Sequence, residues 1–206
     1  MITHKGEQHF KASKGTVVTI GTFDGVHLGH QQIIKRLSQS AQANNWESVV
    51  LTFFPHPRMV LQKDSDIKLI NTISERASLL DQLGLDHLVI HPFTIEFSRM
   101  RAEDFVENIL VKALQAKKVI IGYDHRFGRN RNADIQDLKN YGEQFGFEVE
   151  EISKQQLEDV AISSTKIRNA LLQGDIATAN DYLGRPITLQ GEVVAGKKIG
   201  KTIGYP

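Results

Sequence analysis

An α/β fold with a parallel sheet is the class this sequence predicts, and three observations carry the prediction. Compact apolar runs alternate with segments of helical periodicity. Each run ends at glycine, proline or a polar loop, and the runs are apolar throughout rather than alternating. Continuous apolar runs suit strands buried on both faces, as in a parallel sheet covered by crossover helices. Repeated strand–helix alternation joins such strands by right-handed crossovers.

The strands predicted in order are Val17–Ile20, Ser48–Phe53, His87–Ile90 and Lys118–Ile121, with Phe147–Glu150 a weaker fifth. A helix from Gln31 to Ala43 places Ile33, Ile34, Leu37 and Ala41 on one face. A second runs from Ser74 to Leu83, with Gly84 able to close it in a left-handed conformation. A third, Ala102 to Leu114, spaces Phe105, Val106, Ile109, Leu110 and Ala113 along one stripe. Further helices are expected over Ile135–Gln144, Lys166–Gln173 and Ile176–Leu183. Beyond Gly184-Arg185-Pro186, Ile187–Val194 with Gly191, Gly196, Gly200 and Gly204 suggests the opening of an antiparallel barrel.

Composition narrows the function. Hydrophobic residues at 40% and charged residues at 24% are those of a soluble globular chain, which argues against disorder. Lys+Arg 25 against Asp+Glu 24 leaves a net charge of +1, so there is no overall electrostatic case for nucleic acid or an anionic membrane. Phosphate chemistry must then sit in a local site. The absence of cysteine removes disulfides, zinc-thiolate sites and thiol nucleophiles, and fits a reducing cytoplasm. Met1–Lys14 is polar and mixed, unlike a signal peptide. No run approaches the roughly 18 apolar residues that span a bilayer.

In a parallel α/β sheet, ligands bind beyond the carboxyl ends of the strands. The strongest constellation there is Gly21-Thr22-Phe23-Asp24-Gly25-Val26-His27-Leu28-Gly29-His30, between the first strand and the first helix. Free N–H groups and the helix dipole favour phosphate at that place. Gly29 lets a phosphate approach the backbone, and His27 and His30 share one helical face. The second constellation is Ile162-Ser163-Ser164-Thr165-Lys166-Ile167-Arg168. Capping explains the serines, but the dipole disfavours Lys166 and Arg168 in a first turn. An anion held between them and the amides resolves that conflict.

Phe53-Phe54-Pro55-His56-Pro57-Arg58 follows the second strand as a loop stiffened by two prolines. Gly122-Tyr123-Asp124-His125-Arg126-Phe127-Gly128-Arg129-Asn130-Arg131 follows the fourth, with aromatic and arginine side chains suited to a ring system and its phosphate. Gly196-Lys197-Lys198-Ile199-Gly200-Lys201-Thr202 looks like a Walker A loop, but its spacing is one residue short and Ala195 stands where glycine is needed.

Taken together, these motifs resemble the bacterial bifunctional riboflavin kinase/FMN adenylyltransferase family, the FAD synthetases. The first is similar to its G-x-F-D-G-V-H-x-G-H, a variant of the nucleotidyltransferase H-x-G-H. Ile162–Arg168 is similar to its I-S-S-T-x-x-R, Phe54-Pro55-His56-Pro57 to its F-x-P-H-P, and Gly122–Gly128 to its flavin-side loop. The resemblance covers essentially the whole chain in the family's motif order. His125 stands where the family usually has Phe, and Ala133 where it often has Gly. Gly191–Pro206 resembles the opening of the kinase barrel.

The resemblance implies a Rossmann-like parallel sheet of the nucleotidyltransferase type over residues 1–185, followed by the first strands of an incomplete barrel over 186–206. It implies transfer of AMP from ATP to FMN, with Mg²⁺ and without kinase activity. His27, His30 and Arg168 become the catalytic residues. Gly21, Thr22, Phe23, Asp24, Gly29, Ser163, Ser164 and Thr165 join them at ATP. Phe54, Pro55, His56, Pro57, Asp124 and Phe127 are expected at the flavin, with no dedicated metal ligands. Expected partners are nucleotides and flavin only, in the cytoplasm. The alternatives are a binding module without turnover and adenylyl transfer to another phosphate acceptor, such as nicotinamide mononucleotide or phosphopantetheine.

Overall fold

The computed structural model describes residues 1–62, 66–153, 162–192, 194–197 and 199–205. In chain order it comprises β1 (Ile2–Lys5), β2 (Thr16–Ile20), α1 (Leu28–Ala43), β3 (Glu47–Phe54), α2 (Pro57–Leu61), α3 (Ile73–Gln82), β4 (His87–Pro92) and α4 (Ile95–Ser98). There follow α5 (Ala102–Phe105), β5 (Ala116–Gly122), α6 (Ile135–Phe145), β6 (Glu148–Ile152), α7 (Ser164–Leu172), α8 (Ile176–Leu183) and α9 (Ile199–Thr202). The six strands form one sheet in the order β1-β4-β3-β2-β5-β6, and every pairing is parallel.

Both faces of the sheet are covered, as the apolar runs require. Val18, Val49, Leu51, Val119 and Ile121 pack on one side with Phe105, Val106, Ile109, Leu110 and Leu138. Val17, Val50, Leu88 and Ile120 face the other way, against Ile34 and Leu37 of α1 and Leu80 of α3. Adjacent strand residues point to opposite faces, so each run feeds both layers. A smaller cluster of Ile70, Ile167, Ala170, Ala179 and Leu183 seats α7 and α8 beside the carboxyl edge of the sheet.

The chain runs outward from β2 through β3 to β4, then returns to β5 on the other side of β2. That reversal opens a crevice at the carboxyl end of β2, the ligand position of open α/β sheets. The residues that follow β2 are Gly21 to His30, so topology and motif coincide.

Short helices α2, α4 and α9 stand where none was expected, and three larger elements differ from the sequence expectation. The polar N-terminus contributes β1, an edge strand with mostly exposed side chains. The third helix starts as α5 but continues as a π-helix over Val106–Ala113, with Leu114 N–H reaching Ile109 C=O at 2.9 Å; no sequence feature accounts for the wider turns. The expected strand over Ile187–Val194 is not formed by residues 187–192 or 194, and Val193 lies outside the described residues. Leu189 there is 94% exposed. An apolar run becomes a strand only when a partner edge meets it, and none does among the described residues. Ile187 is tied back, its N–H donating to Asn180 Oδ1 at 2.7 Å. The Walker-like stretch carries only the one-turn α9, and Lys198 and Pro206 lie outside the described residues.

Candidate active site

The turn after β2 is held from several directions at once. Gly21 N–H donates to Leu51 C=O at 3.1 Å, continuing the ladder with β3. Thr22 C=O accepts from Arg76 Nη1 at 2.7 Å and from Thr52 Oγ1 at 3.2 Å. Phe23 and Val26, both buried, adopt left-handed φ of 50° and 39°, on either side of Gly25 at 87°. A left-handed β-branched residue costs roughly 1–2 kcal/mol, so the surroundings must hold Val26 in place.

Asp24 is fully buried and serves as the charge hub of the site. Its carboxylate accepts from the N–H of Ile70 at 3.1 Å and of Asn71 at 3.2 Å. It pairs with Arg76 at 3.1 Å and with Arg168 at 2.5 Å. The Asp24 backbone carbonyl accepts from Ser164 Oγ at 2.9 Å. Arg76 lies on the buried stripe of α3, one turn before Leu80, and is itself sealed from water. An arginine at that position needs a carboxylate partner, and Asp24 is that partner.

His27 is the N-cap of α1: its Nδ1 accepts from His30 N–H at 3.3 Å. That bond fixes the tautomer when the ring is neutral, leaving the proton on Nε2. The rings of His27 and His30 stack with centroids 3.6 Å apart and planes at 16°. Gly29 makes room for the stack, since a Cβ there would lie 3.3 Å from the His27 ring. Burial lowers the His27 pKa to about 4, against the pull of Asp24 and helped by Arg185. His30 is pushed well below its ordinary value by burial, then by His27 and Arg76. Its Nδ1 is buried and has no partner among the described residues. Both rings are therefore neutral hydrogen-bonding groups at pH 7.

The Ser163–Arg168 segment reaches the same place. Ser163 caps α7 by accepting from Lys166 N–H, Thr165 is exposed, and Arg168 Nε also donates to Lys68 C=O at 2.8 Å. His56 caps α2 between Pro55 and Pro57. Burial lowers its pKa to about 4, and the charges acting on it are Asp24, Arg168, Arg58 and Arg76. The Pro-His-Pro loop thus abuts the phosphate turn, with Phe54 and Pro55 exposed beside it.

The turn after β5 leaves the same sheet edge from the strand beside β2, but shares no hydrogen bond with the Asp24 hub among the described residues. Asp124 is exposed, whereas Phe127 is 7% exposed and belongs to the core, its ring 6.0 Å from that of Phe105. His125 Nε2 is buried without a partner among the described residues, and burial lowers its pKa to about 4. Sequence reasoning missed Arg76, Gln31 and Arg185 as supports of the site. For Arg76 a signal existed, a lone cation on an apolar helix face. For the other two there was none.

A parallel sheet whose crossover turn carries two stacked histidines at a helix amino end defines an α/β protein of the nucleotidyltransferase type. The FAD synthetase family pattern matches residues 9–166, and the chain belongs to that family. It is 40% identical over 197 residues to a protein of Buchnera aphidicola (subspecies Schizaphis graminum) named bifunctional riboflavin kinase/FMN adenylyltransferase, covering 95% of this chain and 63% of that one. A Listeria monocytogenes protein of the same name is 39% identical, with 92% and 60% covered. The chain thus spans about three fifths of these relatives' length.

A solved Streptococcus pneumoniae structure described as a macrolide-efflux protein aligns with TM-score 0.82 and 32% identity over 100% of this chain and 66% of that one. Among the described residues here, no helix is long and apolar enough to cross a membrane. Pantothenate synthetase from Thermus thermophilus, at 15% identity and TM-score 0.52 over 89% of this chain and 81% of that one, shares the fold.

Proposed function

We propose that this chain transfers AMP from ATP to FMN, giving FAD and pyrophosphate. The observation that carries the reading is the stacked, neutral His27–His30 pair at the amino end of a 16-residue helix, with Arg168 alongside. An FMN phosphate oxygen attacks the α-phosphorus, the α–β bridging bond breaks, and pyrophosphate leaves with those electrons. The FMN phosphate is already ionised at neutral pH, so no general base is needed. Catalysis reduces to positioning and to stabilising negative charge.

His27 Nε2–H and the His30 ring donate to the α-phosphate and the leaving oxygen. Neutral donors suit this task, because they stay in place without a change of proton between roughly pH 5 and 8. Arg168 and the exposed Thr165 hydroxyl hold the outer phosphates. Ser163 and Ser164 fix the turn, and Gly21, Thr22 and Phe23 form the floor under the nucleotide. In this reading Asp24 orients Arg168 rather than touching ATP. Mg²⁺ arrives with ATP as part of the substrate; the Asp24 oxygens are taken up by N–H donors and leave no place for it. Phe54, Pro55, His56, Pro57 and Asp124 border the flavin, with Phe127 supporting them from the core. The same reading assigns residues 1–185 to one catalytic unit working in the cytoplasm, with small molecules as its only partners.

Pyrophosphate release on mixing ATP, Mg²⁺ and FMN tests the reading, with nicotinamide mononucleotide as a rival acceptor. His30→Ala should lower the rate on the order of 10²–10³-fold, as loss of a transition-state donor does. Binding of FMN without pyrophosphate release would leave only a flavin-binding module. Wild-type rates in both His30→Ala and Arg168→Ala would end the proposal.

A further inference from the structure

Arg185 lies just beyond α8 and outside the 9–166 family match, yet its guanidinium grips the back of the phosphate turn. Nη2 donates to Gly25 C=O at 2.8 Å and to Asn71 Oδ1 at 3.4 Å. Nη1 donates to Val26 C=O at 3.3 Å and Leu183 C=O at 3.2 Å. Gln31 Nε2 bridges the same two carbonyls, Val26 and Leu183, at 3.0 Å each. Gly184 lets the chain pass close by: its φ is 68°, and a Cβ there would lie 2.5 Å from Leu28. The end of α8 and the start of α1 are thus clasped across 152 residues of sequence.

Two of the three carbonyls held, those of Gly25 and Val26, belong to the left-handed pair of the turn. In a trans peptide the N–H points opposite to the C=O. Fixing the Val26 carbonyl against Arg185 and Gln31 therefore turns the His27 N–H to the opposite side, where no acceptor among the described residues takes it. Arg185 is also half-buried and pairs with no carboxylate among the described residues; burial lowers its pKa with no acidic group opposing. Arg76, Arg168 and Arg185 surround the turn against the single charge of Asp24. An excess of fixed positive charge at a partly desolvated site favours an anion.

We propose that Arg185 is a positioning residue for adenylyl transfer: it locks the Gly25–Val26 turn so that His27 and the amino end of α1 face the phosphates, and it leaves an unbalanced positive charge behind them. This rests on the phosphate-site reading above. The charge and the two-pronged grip are separable, because lysine keeps the first and loses the second.

The test compares Arg185→Met, Arg185→Lys and His30→Ala in the full chain. It measures kcat and KM for FAD formation, urea unfolding, and the His27 imidazole titration by NMR. The charged and titratable groups acting on His27 are Asp24, Arg185 and the stacked His30. Arg185→Met should lower kcat at least tenfold, change KM for FMN less than twofold, and raise the His27 pKa. Arg185→Lys should restore the titration but not the rate, and it keeps the experiment readable if the Met variant folds poorly. A crippled His30→Ala beside an Arg185→Met with wild-type kcat and unmoved His27 titration would overturn the Arg185 inference alone. A loss of stability with no change in that titration would also overturn it. Full activity in His30→Ala would overturn the phosphate-site reading, and the inference with it.

Discussion

The turn after β2 and the turn after β5 open at the same edge of one sheet, yet they are held in opposite ways. The first is sealed: Phe23, Asp24, Val26 and His27 are buried, and arginines from three separate segments fasten it. The second is tied across its base by Phe127 and Ala133, which exchange two backbone bonds, while Asp124, Arg126 and Arg129 stay exposed. Asn130 and Arg131 there are left-handed at φ 56° with no comparable clasp among the described residues. Under the function proposed above, the difference fits the chemistry: groups that must meet a transition state need fixed geometry before the ligand arrives, whereas a surface that admits a flat ring can adapt.

Breaking the hub of the sealed turn should have the largest effect. Asp24→Ala leaves the buried Arg76 without its counter-ion, which costs on the order of 3–5 kcal/mol. Urea unfolding should show a sharply lowered midpoint or no folded protein. A loss below about 1 kcal/mol would mean that the turn is not built around Asp24.

Acid should attack the same region next. Buried His27 has a pKa of about 4 against an ordinary 6.5. Between those values the unfolded chain binds a proton that the folded chain refuses, so stability rises with pH across that window. His27 alone then contributes on the order of 3 kcal/mol, complete above about 6.5 and lost as pH falls through 4. His30, His56 and His125 shift in the same direction. Unfolding midpoints at pH 7, 5.5 and 4.5 should fall in that order, and a flat profile would contradict the buried, neutral pair.

The smallest effect belongs to the open turn. Asp124→Ala should change stability by no more than about 0.5 kcal/mol, as exposed substitutions do. It should act on KM for FMN instead, by a few-fold. A large stability loss would erase the contrast between the two turns.

Much of this was readable from the sequence because apolar runs and helical stripes report burial directly. All five predicted strands and the main helices appear within a few residues of their expected bounds. The His27–His30 pair and the Ser163–Arg168 segment were also legible, since strand-end placement and cap chemistry are local. Contacts between distant segments were not. Nothing near Asp24 announces Arg76 or Arg168, and Arg185 reads as an ordinary residue between glycine and proline. Phe127 looked like a ligand-facing aromatic, but only packing against Phe105 reveals it as core. Strand β1 was hidden because an edge strand with exposed side chains carries no apolar signal.

The Asp24 hub also bears on the order in which the molecule assembles. Its partners Arg168 and Ser164 lie 144 and 140 residues away along the chain. Contacts of such separation carry the heaviest loop-closure cost and form late on the folding path. The sheet around β2 can therefore gather first, with the carboxylate still waiting for its second arginine. Interactions absent from the transition state slow unfolding rather than speed folding. The Asp24–Arg168 pair, closed across 144 residues, is thus of the kind that acts as a kinetic latch on the folded turn as well as a support for Arg168.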